Sequence, residues 1–511
     1  MTHWAEGYVA DIGYTYGYYG ELNPLRARLA LLNAGLHCPS FDTACDLGFG
    51  QGVSVNFHAA ASRTAWYGTD FNPAQAGLAQ EMAAASGSGA RLFEQSFADF
   101  AERGDLPDFD FIGLHGIWSW VSDENRTVIV DFIRRKLKVG GVLYVSYNTW
   151  PGWASFAPMR HLMAQHAQVM GSDGGGIVRR IDGALEFAEK ALAVSPRYAR
   201  ANPTAAERLN KAKAEERQYL AHEYFNRDWK PVHFAEMAEW LEPAKVTYAC
   251  SAHYLDHIDA INLTAEQQAF LKDIAHPVFR ETVRDFLVDQ AFRRDYWVRG
   301  PRRLSPLERA EALRAQRVML IAHRADVALK SSGALRGAKM DEGVCNPILD
   351  CLADHAPKSL QQIEEAVKDR GIVFPQVMQV VMVLIAGGQV AVIQEADDSV
   401  ATRSQTDRLN AYLLDKARGS GSIAYLVSPV TGSGIGLVRF EMLFLLALGQ
   451  GKKQPQEWAQ FAWQILRVHG QKLVKEGKAL ETAAENLAEL QARAHAFAAK
   501  YLPILQALQI A

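Results

Sequence analysis

Residues 41–70 set the pattern around which the rest of the chain is arranged. Phe41 to Leu47 is a short apolar run interrupted by two aspartates. Gly48, Gly50 and Gly52 follow at alternate positions. Val53 to Ala61 is compatible with a helix, and Trp66 to Thr69 is apolar again and stops at Asp70. The order predicts strand, glycine turn, helix, strand, acid.

The same reading extends in both directions. A Tyr- and Gly-rich arm (residues 7–24) leads into a helix over Leu25–Leu36, with Pro24 acceptable near its start. After Asp70 come a helix over Ala74–Ala85, a strand over Ala90–Phe93 and a strand over Phe109–Leu114. A helix over Asp123–Lys138 is expected to end at Gly140-Gly141, before a strand over Val142–Tyr147. Residues 155–228 read as a helical insertion with a flexible break at Gly171–Gly176. A helix over Trp229–Leu241 and a late strand over Lys245–Ala252 follow. Residues 263–335 are helical and charged, with a solvated basic run at Arg299–Arg303. Residues 346–394 show three helices and then a β-hairpin, a winged-helix pattern. Its third helix, Pro375–Met382, is apolar and so suited to packing and not to reading DNA. The remainder is helical, with a Gly/Ser-rich break between Gly419 and Gly436. These readings divide the chain into residues 1–255, 256–335, 336–400 and 401–511.

Composition narrows the class. A chain of 511 residues predicts two to four domains, and 49% hydrophobic with 22% charged residues is ordinary globular material. A net charge of −3 gives no global attraction to nucleic acid or anionic membrane. Cys38, Cys45, Cys250, Cys345 and Cys351 are scattered, so neither a disulfide framework nor a zinc or other metal site is expected. The N-terminus lacks a signal-peptide pattern. The most apolar stretch, Val377–Ile393, is interrupted by Gln379, Gly387, Gly388 and Gln389 and is too broken to span a bilayer. The expected location is the cytoplasm, with no membrane insertion and no nucleic-acid partner.

The chemistry is concentrated at the glycines. A glycine turn lets the backbone bend sharply and lets a cofactor approach without a Cβ in the way. Asp70 lies 70 − 46 = 24 residues after Asp46, near the spacing at which an acid binds ribose hydroxyls in nucleotide-binding α/β folds. The third glycine comes one residue early for the dinucleotide pattern. Asp46 would repel a pyrophosphate but suits the ammonium of a methionine moiety. D-x-G-x-G-x-G resembles the first motif of class I S-adenosylmethionine (SAM) methyltransferases.

Two further runs narrow the resemblance. His115-Gly116-Ile117-Trp118-Ser119-Trp120-Val121 and Tyr144-Val145-Ser146-Tyr147-Asn148-Thr149-Trp150-Pro151-Gly152-Trp153 resemble segments of methyltransferases carrying a methyltransferase regulatory domain. Ala221–Tyr224 and Phe292–Asp295 also fit that family. Characterised members are bacterial protein-lysine methyltransferases acting on outer-membrane proteins. The resemblance implies an α/β chain: a Rossmann-like, seven-stranded class I sheet with a helical insertion, followed by a mainly α C-terminal region. It implies SAM as cofactor, held by Asp46, Gly48, Gly50, Gly52, Asp70 and Phe71, with Tyr16 or Tyr19 reaching over it from the arm. Ser96, Phe97, His115 and Gly116 complete the cofactor set. Ser96 stands where an acid usually faces the adenine, and Asp99 lies three residues later.

For transfer to an amine, Trp118, Tyr147, Trp150 and Trp153 are candidate pocket walls, and His115, Asn148 and Glu223 candidate groups to orient the amine or take its proton. The expected partner is a protein methyl acceptor with a lysine. The alternatives are a small-molecule or glycan O/N-methyltransferase and a non-catalytic SAM-binding regulator. A homodimer is compatible with each.

Overall fold

The computed structural model describes residues 9, 12–171, 176–329, 333–335 and 340–511. Seven strands form one sheet: β1 (Thr43–Leu47), β2 (Ala65–Asp70), β3 (Arg91–Glu94), β4 (Phe109–Leu114), β5 (Leu137–Asn148), β6 (Val246–Ser251) and β7 (Phe292–Arg299). Their spatial order is β3-β2-β1-β4-β5-β7-β6, with β7 antiparallel to both neighbours and the first five strands parallel. The crossover helices are α1 (Pro24–Asn33), which leads into β1, α2 (Val53–Ala61), α3 (Pro73–Ser86), α4 (Phe97–Ala101) and α5 (Asp123–Lys136). This is the expected seven-stranded, Rossmann-like methyltransferase architecture.

Local chemistry accounts for these elements. Asn23 and Asn72 cap α1 and α3 through their side-chain oxygens, each with proline in the first turn. Every residue of α2 is buried. The sheet lies on one side of it and the C-terminal region on the other, which is why the segment has no polar face.

Three expectations change around the seven-stranded sheet. Gly140-Gly141 lies inside β5 and does not end α5. The chain turns extended at Leu137, which pairs with Phe109, and an irregularity before the Phe111–Val142 pair absorbs the extra residues, with Gly140 at φ 83°. The helix expected from Trp229 starts at Phe234, because Trp229–Val232 runs extended beside β5 (Val232 N–H to Asn148 O, 3.0 Å). The helical reading of 263–335 misses β7, which fills the gap between β5 and β6. The sheet is therefore finished only at Arg299 and not near residue 255. The charges in β7 obscured it: Arg293, 4% exposed, ion-pairs with Glu281 (3.1 Å), Asp285 (2.5 Å) and Asp295 (2.9 Å).

The helical insertion comprises α6 (Trp150–Trp153), α7 (Ala157–Val169), α8 (Gly176–Ala193), α9 (Arg197–Ala201), α10 (Thr204–Ala214) and α11 (Arg217–Tyr224), with its own apolar core. Ser172–Gly175, most of the expected break, lies outside the described residues, as does the start of the arm. Further on, helices Glu342–Cys351, Leu360–Val367 and Phe374–Ala386 pack beside a three-stranded sheet of β8 (Arg317–Leu320), β9 (Lys358–Ser359) and β10 (Val390–Val392). The expected hairpin does not form, because β10 pairs with β8, a strand that precedes the three helices. The third helix is largely buried. No single helix among the described residues is long and apolar enough to cross a membrane.

The C-terminal region is mainly helical. Its first helix, Ala396–Gly419, packs on α2 and α3. The expected Gly/Ser-rich break holds a hairpin, β11 (Tyr425–Ser428) with β12 (Ser433–Gly436). That hairpin rests on Tyr18 and Phe57, and its turn accepts a hydrogen bond from Asn23 (Nδ2 to Gly432 O, 3.1 Å).

Candidate functional site

A cavity of about 630 Å³ opens at the carboxyl ends of β1, β2, β3 and β4. Its floor is the glycine turn. Gly48, Gly50 and Gly52 have φ of 78°, 57° and 73°, a region L side chains enter only with strain. A Cβ on Gly52 would sit 2.3 Å from Ala79 Cβ, so the third glycine is what lets α2 lie against α3.

Asp70 ties the turn down. Its Oδ2 accepts the Gly50 N–H (2.9 Å) and its Oδ1 the Asn72 N–H (2.9 Å). Burial raises its carboxyl to about 6, with those two N–H donors opposing the rise. Asp46, 1% exposed, lies at the end of β1 between Gly68 of β2 and Gly113 of β4. Burial, and then the nearby Asp70 charge, raise it to about 7. Its Oδ1 has no hydrogen-bond partner among the described residues. A buried carboxyl with an unused oxygen beneath a glycine turn is matched by a cation.

The arm forms another wall. Tyr14, Thr15, Gly17 and Tyr19 line the cavity. Gln51 of the turn donates to Tyr14 O (3.2 Å), and Tyr14 Oη donates to Glu223 Oε1 of α11 (3.4 Å). Tyr19 stacks on His115 (ring centroids 3.7 Å apart), whose Nδ1 lies 2.7 Å from Tyr144 Oη. Burial pulls His115 down to about 4, so the ring is neutral. Burial raises Glu223 to about 7, opposed by Tyr14 and by the Arg160 charge.

Of the residues expected from sequence, Gly48, Gly50, Gly52, Asp70, Phe71, Ser96, Phe97, Tyr19, His115, Gly116 and Glu223 all line this one cavity. Ser96 caps α4, accepting the Asp99 N–H (3.1 Å) and donating to Asp99 Oδ2 (2.7 Å), so both reach the wall together. Tyr16 does not line it and packs against the C-terminal core.

The tryptophan and tyrosine walls are redrawn. Trp118 is fully buried against Trp240. It and Trp120 stand two apart in a tight 3₁₀ turn, which sends them in different directions, and it is Trp120 that lines the cavity. Tyr147 is buried with its hydroxyl donating to Asp295 (2.6 Å), since β5 is covered on both sides. Asn148 is buried, its backbone held by Ser119 Oγ (2.8 Å) and Val232, and does not line the cavity. Trp150 and Trp153 sit one layer back, edge-on to Trp229 (6.4 and 5.0 Å), which in turn meets Trp120 (6.5 Å). Wall residues not anticipated include Tyr14, Glu94, Trp120, Asn125, Asn226 and Asp228. Tyr14 and Trp120 lie within the aromatic runs already noted, and Glu94 is the last residue of β3. Asn125 and Asp228 carry no sequence signal.

This cavity lies at the strand ends where the fold of methyltransferases places its ligands. The family described as "Predicted methyltransferase regulatory domain" matches residues 216–299, which span α11, β6 and β7. The chain is 40% identical over 512 residues to the Synechocystis sp. protein sll1526, covering 99% of each. It belongs to one family with that Synechocystis protein, and its residues 216–299 match the regulatory domain. RP789 of Rickettsia prowazekii is 26% identical over 283 residues, 54% of this chain and 49% of that protein. In fold the chain is similar to PKMT2 from Rickettsia typhi, solved in complex with AdoHcy (TM-score 0.69, 18% identity, 95% of this chain and 98% of that one).

Proposed function

We propose that this methyltransferase uses SAM to methylate the side-chain amine of a protein lysine. The observation that carries the reading is the charge of the cavity wall. Beside Asp70 and Asp99, which the cosubstrate would occupy, the wall among the described residues includes Glu94, Glu223 and Asp228, and no lysine or arginine. Its two histidines, His115 and His222, are both shifted towards the neutral form by burial. Such a wall favours a cationic acceptor and opposes phosphate, carboxylate or acidic-sugar acceptors.

The residues present fit the cosubstrate. The glycine turn would carry its amino-acid portion, with Asp46 buried beneath that turn and outside the cavity lining, Asp70 would face the ribose, and Phe71, Phe97, Ser96 and Asp99 the adenine. When bound, SAM supplies a methyl group already activated by a sulfonium. The protein's part is to align the acceptor and exclude water. A lysine amine, with an ordinary pKa near 10.4, must lose a proton before its lone pair can attack. Glu223 is the wall carboxylate placed to hold the ammonium and take that proton, oriented by Tyr14. Trp120 and Tyr19 offer ring faces that tolerate a charged and methylated ammonium.

The test is to incubate the purified chain with methyl-labelled SAM and a cell-envelope fraction, then locate the label by mass spectrometry. Label on lysine side chains is the expected result. Label on small molecules or glycans would replace the reading with an O/N-methyltransferase, and SAM binding with no transfer would leave a regulator.

A further inference from the structure

The tyrosine arm has two faces, and the cavity uses only one of them. Thr15, Gly17 and Tyr19 line the cavity. Tyr16 and Tyr18, the residues between, pack instead against the apolar cluster that α2 shares with the C-terminal region. An extended chain sends alternate side chains to opposite sides. A slip of one residue would exchange the two faces and carry Tyr19 out of the cavity. What grips the outer face therefore decides what the cavity sees.

The grip is on Tyr18. Its ring lies 5.7 Å from that of Phe57 and 5.4 Å from that of His58, both on α2, and 5.8 Å from that of Tyr425 on β11. Gly434 of β12 packs directly on it: a Cβ there would sit 3.0 Å from Tyr18 Cδ2 and 2.8 Å from Phe57 Cδ2. Tyr18 is thus clamped between α2 and the C-terminal hairpin. The next residue is tied to α2 by its backbone, as the Tyr19 N–H donates to Ser54 Oγ (2.8 Å). On the inner face the Tyr19 ring folds back over Gly17, where a Cβ would meet its Oη at 2.5 Å, and stacks on His115 with 3.7 Å between ring centroids. Clamp, arm and stack form one continuous set of contacts from the hairpin to the cavity. Yet among the described residues none after Asp228 lines the cavity itself.

Resting on the reading that this cavity holds SAM, we propose that Tyr18 is a positioning residue and the hairpin β11–β12 its clamp. Together they hold the arm as a fixed wall over the cosubstrate, and the C-terminal region thereby governs how long SAM and AdoHcy stay bound. Tyr18 itself is outside the cavity lining. A wall that must move before a ligand leaves acts on the dissociation rate.

The experiment compares Tyr18→Ala, Tyr18→Phe, Tyr425→Ala and the Tyr18→Ala/Tyr425→Ala double variant in the full chain. The first readout needs no ligand: hydrogen–deuterium exchange. Tyr18→Ala should speed exchange in the arm around Tyr14–Tyr19 and leave β1 and β4 as protected as in the parent. The second is the dissociation rate of AdoHcy, followed by stopped-flow tryptophan fluorescence. It should rise about tenfold in Tyr18→Ala and about threefold in Tyr425→Ala, stay within about twofold of the parent in Tyr18→Phe, and be no faster in the double variant than in Tyr18→Ala alone. An unchanged dissociation rate in folded Tyr18→Ala would overturn the proposal. So would effects of Tyr18→Ala and Tyr425→Ala that multiply, since the hairpin would then act by another route. Exchange that speeds up throughout the sheet would make Tyr18 a general packing residue and overturn it too. Should Tyr18→Ala fail to fold, Tyr18→Leu makes the same comparison with less volume lost. A parent that binds neither SAM nor AdoHcy would sink the reading of the cavity, and the exchange result alone would then decide whether the hairpin holds the arm.

Discussion

Asp70 Oδ2 accepts the backbone N–H of Gly50 at 2.9 Å, so the acid that closes the second strand also fixes the glycine turn that follows the first. The turn and the proposed ribose contact would share this carboxylate. Asp70→Ala should weaken SAM binding by ten- to a hundredfold, roughly 1.5–3 kcal/mol, through lost ribose contacts and a loosened turn. Calorimetric titration checks this, and unchanged affinity would remove Asp70 from the cofactor site.

Gly52→Ala should be poorly tolerated for a different reason. The added Cβ would lie 2.3 Å from Ala79 Cβ and 3.0 Å from its Cα, at φ 73°. Overpacking of about 1–3 kcal/mol and a left-handed cost of about 1–2 kcal/mol act together. A melting temperature equal to the parent's would show that α2 and α3 separate freely.

Trp118 and Trp120 should part company. Trp118→Ala opens the core and should cost about 3–5 kcal/mol of stability, with SAM affinity of the folded fraction changed by less than about threefold. Trp120→Ala should leave stability close to the parent and lower turnover. Denaturant unfolding and single-turnover methylation on the same preparations separate the two, and the reverse pattern would reassign the wall.

Asp46 and Glu223 should each contribute stability to the unliganded protein that is lost as pH rises from acid towards neutral. Asp46 has an ordinary value of 3.8 and is raised to about 7. Glu223 goes from 4.5 to about 7. Between those values the folded state keeps protons that the unfolded chain releases, so the contribution is full below the ordinary value and gone above the folded one. Asp46→Asn should flatten the dependence of melting temperature on pH. An unaltered slope would mean that Asp46 is not held in its protonated form.

Much of this was legible in the sequence because the glycine turn needs its residues in consecutive order. Gly48, Gly50, Gly52 and Asp70 sit within one βαβ unit, and spacing alone brings them together. Strand β7 was not legible. Its Arg293, Arg294 and Asp295 look like helix-surface charges, and Arg293 is buried only with Glu281 and Asp285 of another segment joining Asp295 around it. The wall tryptophan was missed by two positions, since the direction of a side chain in a 3₁₀ turn depends on what covers its other face. The winged-helix pattern named the three helices but not the pairing of β10 with β8, a contact set by tertiary packing.

The late position of β7 also bears on how the molecule is made. Until Phe292–Arg299 has been synthesised, β5 has β4 on one side and an open edge from Val142 to Asn148 on the other. An apolar strand with an open edge pairs readily with other chains. The segment matched by the regulatory family supplies β6 and β7, so the sheet that carries the cavity has its edge closed by that segment. A chain stopped at residue 255 is expected to scatter light on refolding, and one stopped after 300, with the β5 edge covered, to scatter less.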